Sequence, residues 1–186
     1  SNRISINGNL IAIPIPDSEL SESKMLRVVY FLDGLKSNIQ MIPLHKGEPA
    51  DGNSFNWYDG IIYSLMIDRF YNGDKENDSP VKNDSVLAKA NYMGGDFAGV
   101  RRKIDEGYFD SLGINTIWIS PVNDNPDDAY KEFPAPHRWY TGYHGYWPIS
   151  DTKAEEKFGT FNDLKEVIEA AHKHKIKVLL DFVSHH

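Results

Sequence analysis

Three short apolar runs, IIYSLMI, TIWIS and VLLDFV, are separated by two segments whose apolar residues recur at helical spacing. Phe97, Val100, Ile104, Tyr108 and Leu112 stripe the first segment as one predicted helix, with Asp96 placed to cap its start and Gly113 to stop it. Leu164, Val167, Ile168 and Ala171 stripe the second, behind Thr160 and Asp163 at the spacing of a capping box. The order strand, helix, strand, helix, strand predicts an α/β fold with parallel strands joined by right-handed crossovers. The continuous first run predicts a strand buried on both faces.

The connections say where a site belongs. Helix-to-strand links are short: Gly113 leads to Asn115, and Lys175 to Ile176. Strand-to-helix links run over residues 68–96 and 121–159, against about 2–6 residues for ordinary connections. Long segments that leave the carboxyl ends of parallel strands build the face where ligands bind, in a barrel or an open sheet. No Gly-x-Gly-x-x-Gly follows any strand, so a dinucleotide site has no support.

Residues 3–44 have another texture. ISINGNLIAIPI, MLRVVYFLDG and IQMIPL read as strands broken by Asn-Gly, Pro-Asp-Ser and Asp-Gly turn chemistry. Residues 1–56 are therefore expected to hold part of a small antiparallel β domain and a polar linker, and residues 57–186 the α/β part. The 20 basic and 27 acidic residues leave a net charge of −7, which argues against nucleic acid or an anionic membrane as the partner. The apolar runs are far too short to span a bilayer. Zero cysteines exclude disulfides, thiolate zinc sites and cysteine nucleophiles but leave the compartment open.

The first long loop carries DRFYNGDKENDS and then GGD. Asn72, Asp74, Asn77 and Asp78 cluster short oxygen-bearing side chains, and Asp96 can join them. Calcium takes about six to eight hard oxygens, which such a loop can supply with backbone carbonyls, although EF-hand spacing is not met. The same residues suit a solvated turn in which Asp96 only caps its helix. The second loop, PHRWYTGYHGYWPISD, sets Trp139, Tyr140, Tyr143, Tyr146 and Trp147 around His144. Aromatics with polar tips suit sugar rings, and they equally suit packing of the loop onto its own domain. Asp181 stands inside the third run, with Ser184, His185 and His186 beyond it. His172 and His174 read as surface residues at a helix end.

In order along the chain, IIYSLMIDRFYNGD, GGDFAGVRRKIDEGYFDSLGINTIWISPV, GYHGYWPISD and KFGTFNDLKEVIEAAHKHKIKVLLDFVSHH resemble the α-amylase family of glycoside hydrolases over residues 59–186. The resemblance implies the first three βα units of a (β/α)8 TIM barrel, preceded by a small β unit and truncated after the third strand. It implies a retaining enzyme that cleaves α-1,4-glucosidic bonds of starch-like glucans, with an α-glucan or maltooligosaccharide as substrate. Cyclomaltodextrinase or neopullulanase action, or transglycosylation, is the alternative within the family; a non-catalytic glucan-binding piece is the alternative outside it.

Residue by residue, the resemblance implies that Asn72, Asp74, Asn77, Asp78, the Gly94 carbonyl and Asp96 hold calcium, in a loop of the neopullulanase, cyclodextrinase and cyclodextrin glucanotransferase type. Tyr146 matches a tyrosine that stacks on the sugar at the cleavage site, with His144 and Trp147 beside it. His186 matches a histidine that bonds that sugar's outer hydroxyl, and Asp181 an aspartate that supports the site from behind. The family motif usually ends Asn-His where this chain has His185 and His186, so a second calcium at that asparagine is expected to be absent or differently bound. The two carboxylates of the retaining mechanism, about 5 Å apart, match no residue of this chain. The chain alone is therefore expected to be inactive, and to need the remainder of the same barrel to complete its core.

Overall fold

The computed structural model describes residues 4–8, 10–16, 18, 24–37, 39–49, 57 and 60–184. The chain divides into two compact units, Ser1–Gly60 and Ile61–His186.

The described part of the first unit is all antiparallel. Strands β1 (Ser5–Asn7) and β2 (Leu10–Ala12) form one hairpin. Strand β3 (Lys24–Val28) is followed by β4 (Phe31–Leu32) and β5 (Leu35–Lys36), a second hairpin. Its turn is Asp33-Gly34, with both residues at positive φ (49° and 80°), the conformation that a two-residue hairpin loop demands and an Asp-Gly pair supplies. Strand β6 (Gln40–His45) pairs with β3 on one side and β7 (Glu48–Pro49) on the other.

The second unit is α/β. Strands β8 (Ile62–Leu65), β9 (Thr116–Ile119) and β12 (Lys177–Leu180) lie parallel, with β9 in the middle. A one-turn helix α1 (Ile67–Phe70) follows β8, and helix α2 (Phe97–Asp105) opens at Asp96, whose carboxylate accepts Gly99 N–H at 2.6 Å. Helix α4 (Phe161–Lys173), which follows the short α3 (Tyr108–Ser111), starts with the expected reciprocal box between Thr160 and Asp163. Helix stripe and strand side chains meet in one core, in which Ile67, Phe97, Val100, Ile104, Phe109 and Ile117 are shielded from solvent. A small hairpin, β10 (Tyr130–Lys131) and β11 (Trp139–Tyr140), stands within the second long loop. Among the described residues no helix is long and apolar enough to cross a membrane.

Four expectations change. The helix expected to run through Leu112 breaks at Gly107, which adopts φ +72° and precedes α3; beyond the break Phe109, outside the expected stripe, is the buried residue, stacked on Phe70, while Tyr108 and Leu112 stay exposed. The first strand is shorter than its apolar run and lies at an edge of the described sheet, so Ile62 stays about half exposed (49%). Asp181 lies just beyond β12, although its N–H still joins the ladder at Ile119 O (3.0 Å). His174 is not a plain surface residue: as the C-cap of α4 it pairs with Asp110 of α3 at 2.6 Å.

Candidate functional site

Both long loops leave the carboxyl ends of β8 and β9, and each gathers part of the expected site. In the first, Asn72 Nδ2 donates to both carboxylate oxygens of Asp78, at 2.8 and 3.0 Å. Gly94 (φ +86°) closes against this pair, and a Cβ there would sit 2.3 Å from Asp78 Oδ1 and 2.4 Å from Asn72 Nδ2. The Asp96 carboxylate accepts the N–H groups of Gly73, Asp74 and Gly99, so one side chain caps α2 and closes the loop over it. Asp74 Oδ1 accepts Glu76 N–H at 2.9 Å. The Oδ1 atoms of Asn72 and Asn77 are buried with no hydrogen-bond partner. A buried amide oxygen left unpaired is costly, and two of them in one acidic loop fit a hard cation such as calcium. Among the described residues no three His, Asp or Glu side chains converge as metal ligands, so a cation here draws on amide and main-chain oxygens as well.

In the second loop Tyr143, Tyr146 and Trp147 meet around His144, whereas Trp139 and Tyr140 form β11. Gly145 takes φ +85°, and a Cβ there would lie 2.4 Å from Pro121 O; the tight turn lets the loop press against the end of β9. Tyr146 is 42% exposed, and its hydroxyl donates to Asp181 Oδ2 at 2.5 Å. That hydrogen bond, with a smaller contribution from burial, raises the Tyr146 pKa. His144 stacks on Tyr146 (5.7 Å, 28°) and meets Trp147 edge-on (4.7 Å, 90°). Its Nδ1 accepts Tyr146 N–H at 2.9 Å, which requires the unprotonated nitrogen. Burial, and then the charge of Arg69, lower the His144 pKa and favour that form. The structure thus brings Tyr146, His144, Trp147 and Asp181 together. His185 and His186 lie outside the described residues.

Several residues of this region are not legible as site residues in the sequence. Asn125, 1% exposed, accepts Trp147 N–H on Oδ1 (2.8 Å) and donates to Asn123 O. Glu155 is fully buried: it accepts Asn125 N–H and the Tyr92 hydroxyl, both at 3.1 Å, and pairs with Lys157 Nζ at 3.2 Å. Lys157 also pairs with Asp127. Burial opposes the charge on Lys157, yet Asp127 and Glu155 together raise its pKa. Asp68, 2% exposed, accepts Met93 and Gly94 N–H and pairs with Arg69; burial raises its pKa against these contacts. A charged pair straight after an apolar run was the one available signal for Asp68 and Arg69, whereas AEEK reads as a solvated turn.

The family model "Alpha amylase, catalytic domain" matches residues 62–186. A cyclomaltodextrin glucanotransferase of Paenibacillus macerans is 36% identical over 137 residues, covering 72% of this chain and 19% of its own length. An alpha-amylase of Niallia circulans is 34% identical over 137 residues, covering 72% of this chain and 25% of its own. The crystal structure of gamma-CGTase from alkalophilic Bacillus clarkii is 35% identical with a TM-score of 0.59, over 68% of this chain and 18% of that one. The chain spans about a fifth of the length of the first of these relatives (19%).

Proposed function

The chain belongs to the alpha-amylase family, and from that premise we propose that the whole protein is a retaining glycosidase acting on α-1,4-glucosidic bonds of starch-like glucans. The observation that carries the reading is the Tyr146 hydroxyl on Asp181 Oδ2 at 2.5 Å, which ties an exposed ring to the end of a barrel strand. A sugar ring laid on Tyr146 would find His144 and Trp147 beside it, and a carboxylate that keeps the ring from turning. In this reading His186 bonds an outer sugar hydroxyl. The nucleophile and the acid/base are assigned to no residue of this chain, which supplies sugar grip without bond cleavage. The three parallel strands are assigned to the first three units of the (β/α)8 barrel, residues 1–56 to a preceding β domain and linker, and the edges of the described sheet at β8 and β12 to pairing with the barrel's other strands.

A second reading, glucan transfer, is favoured by the cyclomaltodextrin glucanotransferase among the relatives. The two differ in whether water or a sugar hydroxyl resolves the intermediate. Incubating the full-length protein with linear maltooligosaccharides, with products read by chromatography, is expected to yield shortened chains, or rearranged and cyclic ones for transfer. Oligosaccharides left unchanged in the presence of calcium would overturn the enzyme reading.

Asn72, Asp74, Asn77, Asp78, the Gly94 carbonyl and Asp96 are assigned to calcium, whose role there is to neutralise and stiffen the loop. Calcium at 100 times its dissociation constant should stabilise the fold by about 2.7 kcal/mol. Chelation is therefore expected to lower the melting temperature, and a double variant Asn72→Ala, Asp78→Ala to melt alike with and without calcium. Identical calorimetric melts of the parent protein in calcium and in chelator would remove the assignment.

A further inference from the structure

Building on the sugar-binding reading above, we propose that Arg69 is a positioning residue for the sugar-facing loop, its guanidinium clamping the Tyr143 ring and so setting the Tyr143, His144, Tyr146 array. The guanidinium carbon lies 3.9 Å from the Tyr143 ring centroid. It is held from behind by Asp68, with Nε 3.1 Å from Oδ2, and from the side by two carbonyls, Lys89 O at 3.1 Å and Asn91 O at 2.9 Å. Asp68 is itself pinned by the Met93 and Gly94 amides, so the cation has a fixed place. Beyond the clamp, Tyr143 meets His144 edge-on (5.3 Å, 67°), and His144 stacks on Tyr146.

One planar, five-donor group reaches a carboxylate, two carbonyls and a ring face together. A lysine ammonium, a compact point charge, cannot serve all four in one geometry. A partly desolvated cation over a ring also holds it more strongly than an exposed one. The side chain thereby joins the two loops: Arg69 and both carbonyls belong to the first, and the array to the second. Around His144 the charged or titratable groups are Arg69 with Asp68 behind it, the Tyr143 and Tyr146 phenols, and Asp181, which is reached through the Tyr146 hydroxyl. Arg69 is the cation among them and opposes protonation of His144.

The test uses the full-length protein. Arg69→Met is expected to weaken maltooligosaccharide binding about tenfold by titration calorimetry, and to raise the His144 imidazole pKa in an NMR titration. Arg69→Lys should restore only part of each. Tyr143→Leu leaves the Asp68–Arg69 pair intact and should weaken binding similarly, which keeps the test readable should the unpaired Asp68 unfold Arg69→Met. Parent-like affinity together with an unshifted His144 in Arg69→Met overturns the proposal, as does parent-like affinity in Tyr143→Leu. If the parent protein binds no maltooligosaccharide, the sugar reading falls instead. In that case a shifted His144 in Arg69→Met still supports the clamp, and an unshifted one overturns it.

Discussion

Replacing Glu155 with alanine is expected to destabilise the α/β unit by about 3–5 kcal/mol, the loss typical when one partner of a buried ion pair is removed. Glu155 has no solvent contact, and its two oxygens serve Lys157, Tyr92 and Asn125 at once. Truncation leaves a mostly buried ammonium with the exposed Asp127 as its ion-pair partner and the Tyr92 ring face 4.9 Å away, and it strands a buried hydroxyl and a buried amide. The effect should reach the site, because Asn125 in turn holds Trp147 N–H. Glu155→Gln keeps the shape and the acceptor and should cost less. Urea unfolding of the full-length variants checks this. A Glu155→Ala unfolding free energy within about 1 kcal/mol of the parent's would mean that the network does not anchor the loop.

Tyr146→Ala is expected to lower kcat/KM on maltooligosaccharides about 100-fold, roughly 2.7 kcal/mol of transition-state stabilisation. On the proposed reading the variant loses the ring face for a sugar, and it loses the polar tip that bonds Asp181. Tyr146→Phe separates the two, since it keeps the face and frees the ring from Asp181; a loss of about tenfold is expected, in line with one charge-assisted hydrogen bond. Steady-state kinetics on the full-length protein decide it. Should Tyr146→Ala keep kcat/KM within about twofold of the parent, the exposed ring is not the sugar platform.

Much of the frame was legible in the residue order because its signals are local. The α4 capping box spans three residues, and the Asp33-Gly34 turn needs only two adjacent ones. The parallel order of β8, β9 and β12 follows from alternating apolar periods and the helices between them. The aromatic and oxygen-rich loops could be located, though by themselves they left packing and solvation as open alternatives. The break at Gly107 escaped because the apolar letters continue at helical spacing through it, although beyond it Phe109, off that stripe, is the residue that enters the core.

What the residue order determined by itself is an α/β chain whose polar chemistry gathers where two strands end, since periodicity and turn preference act between near neighbours. Only the tertiary structure decided the partners: Tyr146 with Asp181, Asn125 with Glu155, and Arg69 under Tyr143. These pairs are formed by residues 30 or more positions apart, whose meeting depends on how loops of unlike length fold back over one sheet. A carboxylate in a turn and a carboxylate in a sealed ion pair look alike in a string of letters; desolvation, which separates them, exists only once the chain has closed around them.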